Sequence, residues 1–196
     1  MSEPRTLSRS PELMSPADTA LLVVDVQEKL MPLIGGSRRI IWNLRRLLDG
    51  AAALGLKALA TEQYPQGLGK TVEELANRLG HIPSKAMFSC AGCEDFAKQF
   101  VELGNSKILV SGIEAHVCVQ QTVLDLLANG YRVYVPVDAI GSRYAVDYET
   151  ALKRMESAGA TLTTTESALF EWCQVSGTPE FKKISALVRE SPPEGS

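Results

Sequence analysis

Short unbroken apolar runs alternate with longer stretches in which apolar positions recur every three or four residues, over almost the whole chain. Ala20 to Val24 is continuous and apolar, the pattern of a parallel strand covered on both faces. Ser37 then caps a predicted helix whose Ile40, Ile41, Leu44, Leu47, Leu48 and Ala51 form one stripe, and Gly55 ends it. Lys57 to Ala60 reads as a second strand. Val72, Leu75, Ala76 and Leu79 mark a second helix, and a weak short strand follows near Ile82. Cys93 to Leu103 is helical in pattern and leads into the strand Lys107 to Val110. After Cys118 the residues Val119, Val123, Leu126 and Leu127 recur at helical spacing until Asn129-Gly130 stops them. A strand Tyr131 to Val135, a helix from about Asp147 to Ser157 and a last strand Ala160 to Thr163 complete the alternation. Thr163-x-x-Glu166 has the form of a capping box, and Phe181 to Val188 is a final amphipathic segment.

Six strands separated by helices predict an α/β fold, a three-layer α/β/α domain around a six-stranded parallel sheet with right-handed crossovers. The domain is expected to span residues 19–190, between a flexible N-terminal segment, 1–18, and a disordered polar tail, 191–196. There is no internal repeat and no linker.

Composition narrows the function classes. The 196 residues are 45% hydrophobic and 22% charged, ordinary values for one globular domain. A net charge of −3 with no long run of either sign argues against nucleic acid as a partner. The one basic cluster, Arg38-Arg39 with Arg45-Arg46, falls on a predicted helix and reads as a solvated or subunit-facing stripe. Met1 to Thr19 has no apolar core of signal-peptide length, and no segment approaches the roughly 18 apolar residues of a membrane span. The expectation is a cytoplasmic protein without a membrane partner, with its four cysteines reduced.

In open α/β sheets ligands bind at the carboxyl ends of the strands. That rule selects Asp25 after the first strand, Thr61-Glu62-Gln63-Tyr64 after the second, Cys118 after the fourth and Asp138 after the fifth. Cys118 falls in the expected first turn of a helix, where unpaired N–H groups and the helix dipole favour a thiolate. An acid and a thiol so placed form a candidate nucleophile–base pair. Each also has a plainer reading: Asp25 as a turn or cap residue, Cys118 as a buried inert thiol. By pattern alone Lys85 is a solvated surface charge. Cys90-x-x-Cys93 has redox or zinc spacing, but no second pair occurs and His81 and His116 are poorly placed to complete a metal site. No G-x-G-x-x-G, Walker A or G-x-S-x-G sequence is present, so no cofactor or metal is expected.

Four ordered motifs resemble those of the isochorismatase-like cysteine hydrolases. They are Leu21-Leu22-Val23-Val24-Asp25-Val26-Gln27, Ser84-Lys85-Ala86-Met87-Phe88-Ser89, Gly112 to Val119, and Asp138-Ala139-Ile140-Gly141-Ser142-Arg143. The resemblance spans roughly Ala20 to Trp172. It implies a catalytic triad of Asp25, Lys85 and Cys118, and a cis peptide at Ile113–Glu114. It also implies an oxyanion hole from the backbone N–H groups of Glu114 and Cys118. Lys85 is expected to stabilise the Cys118 thiolate, and Asp25 to carry its proton. Gln63, Tyr64, Phe88 and His116 are expected to wall a small-molecule substrate pocket, and a homo-oligomer is implied. Members that hydrolyse isochorismate lack the cysteine, and the nicotinamidases carry an Asp/His metal cluster after strand two that is absent from Thr61 to Gly69. The implied activity is therefore metal-independent hydrolysis of an amide or carbamoyl C–N bond, by a branch whose substrates are undefined. The alternative is a non-catalytic scaffold acting as a partner or thiol sensor.

Overall fold

Every residue of β1 (Thr19–Val24) is buried, so neither face of this strand meets water. It pairs in parallel with β2 (Ala58–Gln63) on one side and β4 (Lys107–Ile113) on the other. The structure, a computed structural model, describes residues 7–193; the outermost parts of the two expected disordered ends, 1–6 and 194–196, lie outside the described residues. β3 (Ser84–Lys85) extends the sheet beyond β2, while β5 (Arg132–Pro136) and β7 (Thr161–Thr163) extend it beyond β4. The order is β3-β2-β1-β4-β5-β7, all parallel, with the two-residue β6 (Ile140–Gly141) paired to the carboxyl end of β4. β6 is the strand beyond the six predicted, too short to register as an apolar run.

Side-chain alternation along β1 divides the core in two. Leu21 and Val23 join Leu109, Leu44, Leu47, Leu169, Trp172 and Ile184 on one face, which is covered by α1 (Ser37–Leu54), α7 (Thr165–Cys173) and α8 (Pro179–Val188). Leu22 and Val24 join Val110, Phe96, Val119, Val123 and Met155 on the other, under α4 (Glu94–Leu103), α5 (Gln120–Ala128) and α6 (Ala145–Ser157). Two one-turn helices, α2 (Pro65–Leu68) and α3 (Glu73–Ala76), lie in the connection after β2. Ile184 is fully buried against α1, so the apolar stripe of the C-terminal segment covers its own chain.

Several expected boundaries move for local reasons. Gly36, in the left-handed region at φ 69°, caps α1 in place of Ser37. The helix expected over Val72 to Leu79 closes only one turn, and the third strand forms at Ser84–Lys85 rather than at Ile82. Thr164, not Thr163, caps α7, its hydroxyl accepting from Ser167 N at 3.3 Å. The segment expected to be flexible, 1–18, is docked where it is described. Met14 is buried, Lys107 Nζ donates to Leu13 O at 2.8 Å, Tyr134 Oη donates to Glu12 O at 2.6 Å, and an Arg9 guanidinium nitrogen donates to Glu171 O at 2.8 Å. Backbone carbonyls hold this segment, and carbonyls leave no trace in a hydropathy pattern.

Where β4 passes β1, Gly112 adopts φ 113°, and a Cβ there would lie 2.1 Å from Val24 O. Backbone on a central strand cannot yield to that clash. Gly112→Ala is expected to cost about 4 kcal/mol and to lower the melting temperature by roughly 10 °C. A melt within about 2 °C of wild type would refute this.

Candidate active site

Asp25 is the first residue past β1 and still donates its N–H to Thr61 O at 3.1 Å, before φ 53° turns the chain off the sheet. A non-glycine residue in that region is held there by its surroundings, at a cost of order 1–3 kcal/mol. The side chain is fully buried. Lys85 Nζ donates to Asp25 Oδ2 at 2.6 Å and Thr61 Oγ1 to Asp25 Oδ1 at 2.8 Å, and the Cys118 thiol lies close enough to the same carboxylate to interact with it. Asp25, Lys85 and Cys118, separated by many residues in the chain, thus meet at one carboxylate.

Lys85 lies at the end of β3 and is buried, not a solvated surface charge. An ammonium group has three donors. They go to Asp25 Oδ2, Gln63 Oε1 and the Phe88 carbonyl, the last two at 2.8 Å. Lys85 therefore engages the Asp25 carboxylate directly, and its three hydrogen bonds do not go to the sulfur.

Cys118 sits in a π-helical turn, Ala115–Val119, that precedes α5. Its thiol is held well above the ordinary range, first by burial and then by the negative charge of Asp25, with Lys85 opposing. Burial likewise raises Asp25, and Lys85 works against that rise. Both effects favour a neutral thiol beside the carboxylate. Desolvation and the nearby negative charge of Asp25 work against the thiolate expected from a helix dipole equivalent to about half a charge.

The surrounding hydrogen bonds include residues that the sequence reading did not assign to the site. Gln27 Nε2 donates to Gln63 O at 3.0 Å and to Gly69 O at 2.7 Å, and Gln27 Oε1 accepts from Gln63 N at 2.8 Å. Thr122 Oγ1 donates to Cys118 O at 2.7 Å and accepts from Cys90 N at 2.9 Å. Gln27 carries one available signal, a polar side chain just past the carboxyl end of a buried central strand. Cys90 Sγ lies 3.3 Å from Thr61 Oγ1, whereas Cys93 Sγ faces the Ser84 carbonyl at 3.8 Å. The two thiols of the C-x-x-C sequence engage different partners.

The four expected pocket residues divide. Gln63 is buried and its amide is fully engaged, with Oε1 on Lys85 and Nε2 donating to Ala86 O at 2.8 Å. Its Oε1 helps hold Lys85 in place. Tyr64, 60% exposed, and Phe88, 51% exposed, are open to solvent. His116 Nδ1 is 3.0 Å from Ser142 Oγ, and Arg143 Nε is 3.1 Å from the Glu114 carboxylate. The Ile113–Glu114 peptide is cis. Asp138 serves as a cap, its Oδ1 accepting from the N–H and hydroxyl of Thr165 at the start of α7. A cavity of about 620 Å³ opens beside the His116–Ser142 and Glu114–Arg143 pairs, lined by Gly36, Arg39, Ile40, Val137, Ser142 and Arg143 among others. Asp25, Lys85 and Cys118 do not line it. Among the described residues no three His, Cys, Asp or Glu side chains group as metal ligands, and no helix is long and apolar enough to cross a membrane.

A parallel sheet flanked by helices, with an acid and a thiol meeting at the carboxyl ends of its central strands, defines a hydrolase fold. The chain belongs to the isochorismatase family: the isochorismatase domain matches residues 19–167. It is 39% identical over 182 residues to isochorismatase domain-containing protein 1 of Salmo salar, covering 91% of this chain and 64% of that protein. The chain thus spans less than two thirds of that relative's length. Among solved structures it resembles the MAR1 ribonuclease of Caenorhabditis elegans, at 40% identity and a TM-score of 0.86, covering 92% of this chain and 94% of that one. It also resembles YcaC from Pseudomonas aeruginosa, solved with hexane-2,5-diol and covalent acrylamide, at 26% identity and a TM-score of 0.83, covering 92% and 93%.

Proposed function

We propose that the chain is a metal-independent cysteine hydrolase of a small molecule, cleaving an amide or carbamoyl C–N bond through a thioacyl-enzyme. The observation that supports this reading is the buried Asp25 carboxylate, hydrogen-bonded by the Lys85 ammonium with the Cys118 thiol close beside it. A thiol and a carboxylate in contact supply a nucleophile and its base without prior ionisation of the sulfur. As Sγ attacks the carbonyl carbon, the thiol proton passes to Asp25. The carbonyl oxygen takes up negative charge, stabilised by the N–H groups of Glu114 and Cys118. Each such donor contributes about 3–4 kcal/mol at the transition state. Asp25 then gives the proton to the leaving nitrogen, the C–N bond breaks and a thioester remains. Water, deprotonated by the same carboxylate, releases the acid and restores the thiol. Lys85 keeps Asp25 ionised between steps, which burial alone would oppose.

The metal-independent form of the reading rests on the donor set after β2. Glu62 accepts from the Thr71 N–H and hydroxyl, and Gln63 is engaged with Lys85 and Ala86, so these side chains already have partners. RNA, suggested by the name of the C. elegans protein, is disfavoured as substrate by the net charge of −3 and the lack of a basic run.

The test is a panel of small amides, carbamates and RNA oligonucleotides, quenched in acid and followed by peptide mass mapping. An acyl group is expected on the Cys118 peptide with an amide or carbamate. Turnover that leaves an adduct only on another residue, or cleavage of RNA alone, would reject the proposal.

A further inference from the structure

Thr61 Oγ1 has one proton and two neighbours. It donates to Asp25 Oδ1 at 2.8 Å and lies 3.3 Å from Cys90 Sγ. An ionised carboxylate has no hydrogen to give, so the hydroxyl proton belongs on Asp25. The contact with sulfur is then satisfied in one direction only, with Cys90 donating. Burial supplies the condition for this, pushing the Cys90 thiol up to about 11 and keeping it protonated near neutral pH.

The main chain of the same residue reaches the nucleophile. Cys90 N–H donates to Thr122 Oγ1 at 2.9 Å, and Thr122 Oγ1 donates to the Cys118 carbonyl at 2.7 Å. Each threonine hydroxyl accepts from Cys90 and passes its single proton onward, one to the base and one to the backbone of the nucleophile. We infer that Cys90 is a positioning residue for the reaction proposed above, its thiol fixing the Thr61 proton on Asp25 and its N–H orienting Thr122 beneath Cys118. The inference rests on that reading of Asp25 and Cys118. Cys90 is fully buried, so it acts through its neighbours and not on substrate.

Losing the thiol has a directed consequence. Thr61 no longer receives a hydrogen bond, so its own proton is free to turn away from Asp25. The carboxylate then loses part of a donor that favours its charged form, and it binds a proton more tightly. Any reaction that needs ionised Asp25 should fail at a higher pH than in the wild type.

Acrylamide reads this without a known substrate. Cys118 Sγ forms a bond to the terminal alkene carbon, the C=C π bond breaks, and the thiol proton passes through Asp25 to the adjacent carbon. The rate of mass gain on the Cys118 peptide is followed from acidic to alkaline pH in wild type, Cys90→Ala and Cys90→Ser, with thermal melts alongside. In Cys90→Ala the acid limb is expected to move up by about one pH unit, slowing labelling below neutrality about tenfold. Cys90→Ser keeps a donor and is expected within about twofold of wild type. An alanine variant with the wild-type acid limb overturns the inference, and so does a serine variant as impaired as alanine. Should Cys90→Ala fail to fold, Thr61→Val removes the same proton from Asp25 at similar volume, and a wild-type acid limb there overturns it equally. Absence of labelling at Cys118 in the wild type defeats the proposed function and this inference together. Wild-type labelling at Cys118, with an unchanged alanine variant, defeats this inference alone.

Discussion

Replacing Cys118 with alanine is expected to reduce turnover of any amide found in the screen by at least about 10⁴-fold, with the fold intact. The effect is large because both halves of the reaction run through one sulfur. The nearest other thiol, Cys90, is buried and held against Thr61, so it cannot substitute. The stability cost is small, since the side chain loses one atom and leaves Asp25 still held by Lys85 and Thr61. Residues acting as a unit are strongly non-additive, so adding Asp25→Asn to the alanine variant should change the residual rate little. Asp25→Asn alone should cost about 10²–10⁴-fold, the usual contribution of a positioned base. Steady-state rates and thermal melts of the three variants check this. An alanine variant that retains full activity would remove Cys118 from the chemistry.

The second large effect is on stability. Lys85→Met leaves the Asp25 carboxylate buried without its cation, and breaking a buried pair in this way costs about 3–5 kcal/mol. The sign of the pH dependence follows from the direction in which Asp25 moves. Burial already raises it against the pull of Lys85, and removing Lys85 raises it further. A carboxyl whose folded pKa lies above its unfolded value is relatively favoured at low pH, where both states are protonated. That advantage is lost as pH rises from the unfolded value, about 4, toward the folded one. The variant should therefore lie nearest to wild type in mild acid and fall behind as the solution becomes alkaline. Urea unfolding at acidic and alkaline pH measures the difference. The double variant Asp25→Asn with Lys85→Met should recover most of the stability while remaining inactive, because neither charge is then stranded. A single variant as stable as wild type in alkali would show that the pair carries no such linkage.

What could be read from the chain was whatever has a period or a place in order. Continuous apolar runs such as Ala20 to Val24 marked buried parallel strands, and the stripe from Ile40 to Ala51 marked a covering helix. Their alternation defined the layers, because neither element can bury its apolar surface alone. The carboxyl-end rule then selected Asp25 and Cys118 without knowledge of any contact. Lys85 was invisible to pattern, as an isolated lysine carries no periodic signal, and only the resemblance singled it out.

Tertiary structure alone decided the charge states and the division of labour. Which three acceptors receive the ammonium hydrogens of Lys85 depends on how β2, β3 and the turn at Phe88 converge. That convergence places Lys85 on the Asp25 carboxylate and, with burial, favours a neutral thiol at Cys118. Gln63, expected in the pocket wall, accepts a hydrogen bond from Lys85, while Cys90, whose C-x-x-C spacing was a weak redox or zinc signal, lies against Thr61. Local sequence encodes where a residue stands along a strand. A protonation state reports the balance of desolvation and charge from groups far apart in the chain, and that balance exists only once the sheet has assembled.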